Sequence, residues 1–236
     1  KADIDSCNEL GQRLLHPTTN MVYTIGKMIL MPFIRLWVDK ISGLENVPRK
    51  DGFIIAANHA SYFDHYAVGA VIIPLLNKKV HFLSKKEHFD NPLKAAWHAW
   101  TGAIPLNRQK GGKEALRFAI KALKQGKIIA IHPEGTRSLD GKLMKGKTGV
   151  ARLALSAKVP VVPLGLTGTF EILPKGNYLP RFRKCTVKIG KPMHFDEYYN
   201  KRVTKKLLRG LTTKIMKEIA KLCGQKYEFK DIHCNR

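Results

Sequence analysis

A histidine and an aspartate five residues apart, His59 and Asp64, follow directly on the apolar run Phe53-Ile54-Ile55-Ala56-Ala57. A short continuous apolar run of this kind reads as a buried strand. Such a strand delivers His59 to its end, and the turn over 58–64 folds Asp64 back onto the ring. An Asp–His pair is two-thirds of a catalytic triad. The carboxylate sets the imidazole tautomer and stabilises the imidazolium, while the imidazole takes a proton from a hydroxyl. The chain contains no Gly-x-Ser-x-Gly turn to present a nucleophilic serine. The hydroxyl deprotonated by this pair is therefore expected to belong to a substrate. A strand-end histidine beside a helix-capping aspartate also occurs as a purely structural arrangement, so the pair alone does not decide.

A second constellation, His132-Pro133-Glu134-Gly135-Thr136-Arg137-Ser138, follows another strand-like run, Lys127-Ile128-Ile129-Ala130-Ile131. Two polar clusters at the ends of two apolar strands fit one rim of a single sheet, where open α/β sheets bind ligands. Gly135 permits close backbone approach, and Arg137 offers a bidentate clasp for a phosphate. The bland alternative is a Glu134–Arg137 ion pair that braces the loop.

At these residues the chain resembles the glycerolipid acyltransferases, most nearly the 1-acyl-sn-glycerol-3-phosphate acyltransferases. Four blocks carry the resemblance: 58–64, then Gly102-Ala103-Ile104-Pro105-Leu106-Asn107-Arg108, then Pro133-Glu134-Gly135-Thr136-Arg137-Ser138, then Val159-Pro160-Val161-Val162-Pro163-Leu164. The resemblance covers about residues 41–195. The chain departs from the family at His132, where an aromatic or aliphatic residue is usual, and within the second block, where only Arg108 is carried over. The resemblance implies that His59 is the general base on an acceptor hydroxyl and that Asp64 orients it. It implies that Glu134, Gly135, Thr136, Arg137 and Arg108 serve the phosphate of the acceptor, and it links the fourth block to the acyl donor. The implied reaction moves a fatty acyl group from acyl-coenzyme A or acyl carrier protein to the free hydroxyl of lysophosphatidic acid, giving phosphatidic acid. Glycerol 3-phosphate or another lysolipid is the alternative acceptor. Neither cofactor nor metal is implied.

One motif points elsewhere. Residues 141–148, Gly-Lys-Leu-Met-Lys-Gly-Lys-Thr, match the phosphate-binding P-loop pattern. A true P-loop runs straight from a strand into a helix, whereas here residues 132–140 intervene. Glycines and lysines before a helix still form an anion site, so Lys145, Gly146 and Lys147 are candidates to hold a phosphate. A nucleotidase would bind ATP with magnesium. Asn58 reads as a turn residue and Ser61 as solvated or locally bonded. His65, His81, His88, His98 and His194 read as scattered, without a role.

The elements that must position these residues follow from the pattern. After Gly43, short apolar runs alternate with helical stretches, which predicts an α/β fold with a largely parallel sheet flanked by helices. Strands are expected at 53–57, 80–84, 103–107, 127–132, 160–166 and 184–190, and helices at 64–76, 91–100, 112–125 and 147–157. Val203, Leu207, Leu211, Ile215, Ile219 and Leu222 recur at helical spacing, with lysines and arginine on the other face. Residues 1–40 are expected to form a helical membrane-association segment ahead of an acyltransferase domain at 41–236. Within it 21–38 is apolar apart from Lys27 and Arg35, and Pro32 is a possible kink. It suits a helix lying in a membrane interface, or one packed on the domain core.

Composition narrows the partners. The chain of 236 residues is long enough for one α/β domain, and its net charge of +24 calls for a polyanionic partner. No recognisable nucleic-acid motif accompanies that charge, so nucleic acid is not expected and an anionic membrane surface is. Cys7, Cys185, Cys223 and Cys234 lack Cys-x-x-Cys spacing and read as isolated reduced thiols. No secretory signal and no charge-free stretch of about 20 residues is present. The protein is expected to be peripheral or monotopic at the cytoplasmic face of a membrane, and its start at Lys1 leaves room for a preceding segment.

Overall fold

The computed structural model describes residues 18–85, 90, 101–106 and 113–229. Its centre is a seven-stranded sheet in the order β1-β7-β6-β2-β5-β3-β4. The strands are β1 (Val38–Ser42), β2 (Phe53–Ala57), β3 (Val80–Lys85), β4 (Ile104–Leu106), β5 (Ile128–Ile131), β6 (Val161–Thr167) and β7 (Cys185–Ile189). Every neighbouring pair is parallel except β6 with β7. The helices are α1 (Thr18–Arg35), α2 (Asp64–Leu76), α3 (Lys113–Lys124), α4 (Gly149–Ala157), the short α5 (Thr169–Ile172) and α6 (Lys205–Cys223). The expected α/β architecture is present, a mixed, largely parallel sheet with helices on both faces.

The central strand β2 explains why the sheet needs two helical layers. All five of its residues are buried. Phe53, Ile55 and Ala57 pack into a cluster with α1 and α2, while Ile54 and Ala56 pack into another with α3, α4 and α6. Side chains alternate across a strand, so a strand apolar at every position must be covered on both sides. Helix α6 shows the same logic in helical form: Leu208, Leu211, Ile215, Met216 and Ile219 are buried, and Lys206, Lys214, Lys217 and Lys221 are exposed. Thr204 caps its start by accepting the Leu207 N–H at 3.1 Å, and Gly224 ends it with φ of 68°.

The structure departs from the expected pattern at β1 and in α1. The strand β1 was not foreseen and spans residue 40, so a boundary at 40/41 falls inside the sheet. Its pattern is only partly buried because it is an edge strand, and its polar residues disguise it. Helix α1 runs through Pro32 without a break in its assigned helix. One face of α1 buries Met31 and Ile34, while Met28, Ile29 and Phe33 on another are exposed, so the two readings of 21–38 are combined in one helix. The expected helix at 91–100, together with Arg108, His88, His98, Cys7 and Cys234, lies outside the described residues. Cys185 and Cys223 are buried and free, and burial pushes both thiols up to about 12.

Candidate active site

Strands β2 and β5 are parallel neighbours with Ala56 opposite Ile131, so both chains leave the sheet at the same rim. His59 and His132 emerge there. The imidazole Nδ1 of His59 stands 2.8 Å from Oδ2 of Asp64, the first residue of α2. That same oxygen accepts the backbone N–H groups of Ala60 and Ser61 at 2.9 and 2.8 Å. Asp64 is fully buried, and burial pushes its carboxyl above the usual carboxylate range. A carboxylate so placed accepts Nδ1–H and leaves Nε2 of His59 with the lone pair.

The backbone of His59 is clamped from the β5 side. Its N–H donates to Oε1 of Glu134 at 2.7 Å, and its carbonyl accepts the Ser138 N–H at 2.8 Å. The other oxygen of Glu134 accepts the Met144 N–H at 2.8 Å. Both carboxylate oxygens thus hold backbone amides, and Glu134 does not pair with Arg137. Glu134 thus ties two rim loops together. Burial pushes Glu134 up to about 7 from an ordinary 4.5, against those two bonds. Its proton therefore stabilises the fold fully below about 4.5, and that contribution is lost as pH rises through about 7. Glu134→Gln turns an amide nitrogen toward one backbone donor and is expected to cost about 1–3 kcal/mol. It should also remove this segment of the pH dependence, which melting curves from pH 4.5 to 8 would show.

His59 opens into a cleft of about 870 Å³. One wall is apolar, with Leu30, Met31, Ile73, Val80, Phe82 and Leu83. The rim carries Arg137, Lys147, Arg152 and Lys175. Gly135 and Thr136 also line it, and Gly135 holds φ of 72° where a Cβ would come within 3.0 Å of the Lys147 ammonium. The Arg137 guanidinium lies 3.6 Å from the ring centroid of Tyr62, which presents its charge to the cleft. Arg152 and Lys175 had no motif around them and emerge only from the fold, and Tyr62, inside the block 58–64, gains its part only through its contact with Arg137.

Of the three candidates before α4, only Lys147 lines the cleft. Lys145 is exposed and does not line it, and Gly146 is buried against α6, where a Cβ would come within 2.6 Å of Met216. The backbone N–H groups of Leu143, Met144, Gly146 and Lys147 all donate inside the protein, to Gln225, Glu134, Tyr227 and Pro133. A P-loop must aim such amides at a phosphate, so the pattern at 141–148 is a sequence coincidence.

Other residues settle into supporting roles. Asn58 pairs both ways with the backbone of Leu166, joining the end of β2 to β6. Ser61 is buried rather than solvated, donating to the Leu173 carbonyl and accepting the Phe63 N–H. His81 meets the Gly102 carbonyl, and His194 lies 4.0 Å from Asp196 at the surface. His65, read as scattered, instead meets the His59 ring edge-on at 5.3 Å.

Known proteins are similar to this chain. Residues 39–167 match the family described as Acyltransferase. A 1-acyl-sn-glycerol-3-phosphate acyltransferase of Bacillus subtilis is 31% identical over 160 residues, covering 67% of this chain and 75% of that protein. The chloroplastic LPAT1 of Arabidopsis thaliana is 33% identical over 169 residues, covering 70% of this chain but only 45% of its own length. The crystal structure of PlsC from Thermotoga maritima, a 1-acyl-sn-glycerophosphate acyltransferase, superimposes with a TM-score of 0.67 at 25% identity, covering 92% of this chain and 88% of that one. The strand-end histidine held by a helix-start aspartate and the matching fold thus coincide in one molecule, and the chain belongs to the acyltransferase family.

Proposed function

We propose that this protein acylates lysophosphatidic acid to phosphatidic acid, taking the acyl group from an acyl thioester of coenzyme A or acyl carrier protein. The observation that carries this reading is the His59–Asp64 pair at the floor of a cleft with an apolar wall and a basic rim. The relatives named as 1-acyl-sn-glycerol-3-phosphate acyltransferases support the choice of acceptor.

In the reaction, Nε2 of His59 takes the proton of the acceptor hydroxyl as its oxygen attacks the thioester carbonyl. A C–O bond forms, and the charge on the tetrahedral oxyanion is met by nearby donors. The C–S bond then breaks, the thiolate leaves, and the imidazolium supplies its proton. Buried Asp64 stabilises the imidazolium between those steps. Arg137 and Lys147 hold the acceptor phosphate at the rim while the acyl chains lie along the wall of Leu30, Met31, Ile73 and Val80. Mass-spectrometric detection of phosphatidic acid from lysophosphatidic acid and acyl-coenzyme A or acyl carrier protein, beside glycerol 3-phosphate and other lysolipids, tests the reading. Transfer only to glycerol 3-phosphate would replace it.

A lipid product needs a nearby bilayer, and the surface beside the cleft is built for one. Met28, Ile29, Phe33 and Leu36 of the α1 region are exposed, and so are Leu179 and Phe182 on the loop before β7. Trp37 joins the two groups, with ring centroids 5.2 Å from Phe33 and 5.3 Å from Phe182. Arg35, Arg181, Arg183 and Lys184 are exposed around them. No described helix is long and apolar enough to cross a membrane. In this reading the exposed apolar side chains and the cations around them place the patch in the interface, as a peripheral or monotopic surface. Phe33→Asp with Phe182→Asp is expected to weaken binding to anionic vesicles at high salt by roughly ten-fold or more. Undiminished vesicle sedimentation of the folded double variant would place the anchor elsewhere.

A further inference from the structure

Three imidazoles meet at the rim. His132 stacks on His59 with ring centroids 4.0 Å apart and an interplanar angle of 9°. His65 meets both edge-on, at 5.3 Å from His59 and 4.9 Å from His132. One ring nitrogen from each lies within 4.8 Å of the other two. The tautomer of His132 follows from its partners. Its Nδ1 lies 3.1 and 3.0 Å from the carbonyl oxygens of Ala57 and Asn58, which only accept, so Nδ1 carries the hydrogen. The lone pair is then on Nε2, which is buried and has no hydrogen-bond partner among the described residues. A buried acceptor left without a donor is costly.

Metal-ligating histidines characteristically donate their other N–H to a carboxylate or a backbone carbonyl. His59 does the first through Asp64, and His132 does the second through Ala57 and Asn58. We propose that His59, His65 and His132 form a three-imidazole site for a divalent transition-metal ion, Zn²⁺ foremost, whose occupancy stops acyl transfer. The inhibitory half rests on His59 being the base: a metal on its Nε2 takes the lone pair needed for the acceptor proton. Zinc binds imidazole nitrogen at about 2.0–2.1 Å, which in a tetrahedron sets the nitrogens about 3.3 Å apart. Binding therefore requires ring rotations that close the present separations and tilt the stacked rings toward a common point. Three protein ligands leave the fourth position for water.

The test begins with chelator-stripped full-length protein and Co²⁺. The expected result is one equivalent of Co²⁺ with a visible d–d band, no near-ultraviolet thiolate charge-transfer band, and displacement by Zn²⁺. His132→Phe keeps a planar ring in place without a ligand, and His65→Ala removes another. Each variant, checked for folding by circular dichroism, should lose the band. Each should need at least ten-fold more Zn²⁺ for half-inhibition, relative to its own metal-free rate. Phosphatidic acid is counted by mass spectrometry, because released thiols bind zinc. Absence of the band in the parent, or equal Co²⁺ binding by both folded variants, overturns the site. Stoichiometric binding without any loss of transfer overturns the inhibition. Failure of the metal-free parent to transfer acyl groups counts against the acyltransferase reading alone, because the Co²⁺ titration reads the site without turnover.

Discussion

Replacing His59 by alanine is expected to lower acyl transfer by roughly 10²–10⁴-fold without unfolding the protein. The side chain supplies the proton acceptor, while the backbone bonds that tie residue 59 to Glu134 and Ser138 do not depend on it. Asp64→Asn separates charge from geometry. If the amide oxygen takes the place of Oδ2, it still accepts from His59, Ala60 and Ser61. The tautomer then survives, but the negative charge opposite the imidazolium is gone, and turnover should again fall by roughly 10²–10⁴-fold. In the other flip the amide nitrogen faces three donors, and melting curves would register that strain. Measured turnover and circular dichroism decide between these. A correctly folded His59→Ala protein that kept more than a tenth of parental turnover would overturn the general-base mechanism.

The acceptor phosphate gives the second large effect. Arg137 and Lys147 flank the cleft from two segments that Gly135 allows to come together. A charge-assisted hydrogen bond to a phosphate is worth about 1.5–3 kcal/mol, or roughly 10–150-fold in affinity. Arg137→Ala and Lys147→Ala should each raise the KM for lysophosphatidic acid within that range and leave the KM for the acyl thioester nearly unchanged. Tyr62→Ala should reproduce part of the Arg137 effect by removing the ring on which the guanidinium rests. Steady-state kinetics with both substrates varied separates the possibilities. Raised KM for the thioester alone would move these cations to the phosphates of coenzyme A.

The readable parts of this protein are those whose physics is local. The run 53–57 is apolar at every position because its strand is buried on both faces, and it was legible as a strand with the observed ends. The helix at 64–76 was equally plain. So was the His59–Asp64 pair, since five residues of turn suffice to close it. The match to family blocks added the expected rim at 133–138. The rest depends on which strands lie side by side. Glu134 belongs along the chain to the expected phosphate block, and only the β2–β5 pairing shows that its carboxylate also holds the backbone of a residue 75 positions away. Lys145, Gly146 and Lys147 look interchangeable along the chain, and only the packing of α6 on Gly146 turns one of them toward the cleft. The edge strand β1 hid its β pattern because its polar residues are exposed. His65 and His132 looked unrelated for the same reason that the backbone partner of Glu134 was hidden. A side chain's partners across parallel strands are set by sheet order, and sheet order is decided by how all the helices cover both faces at once.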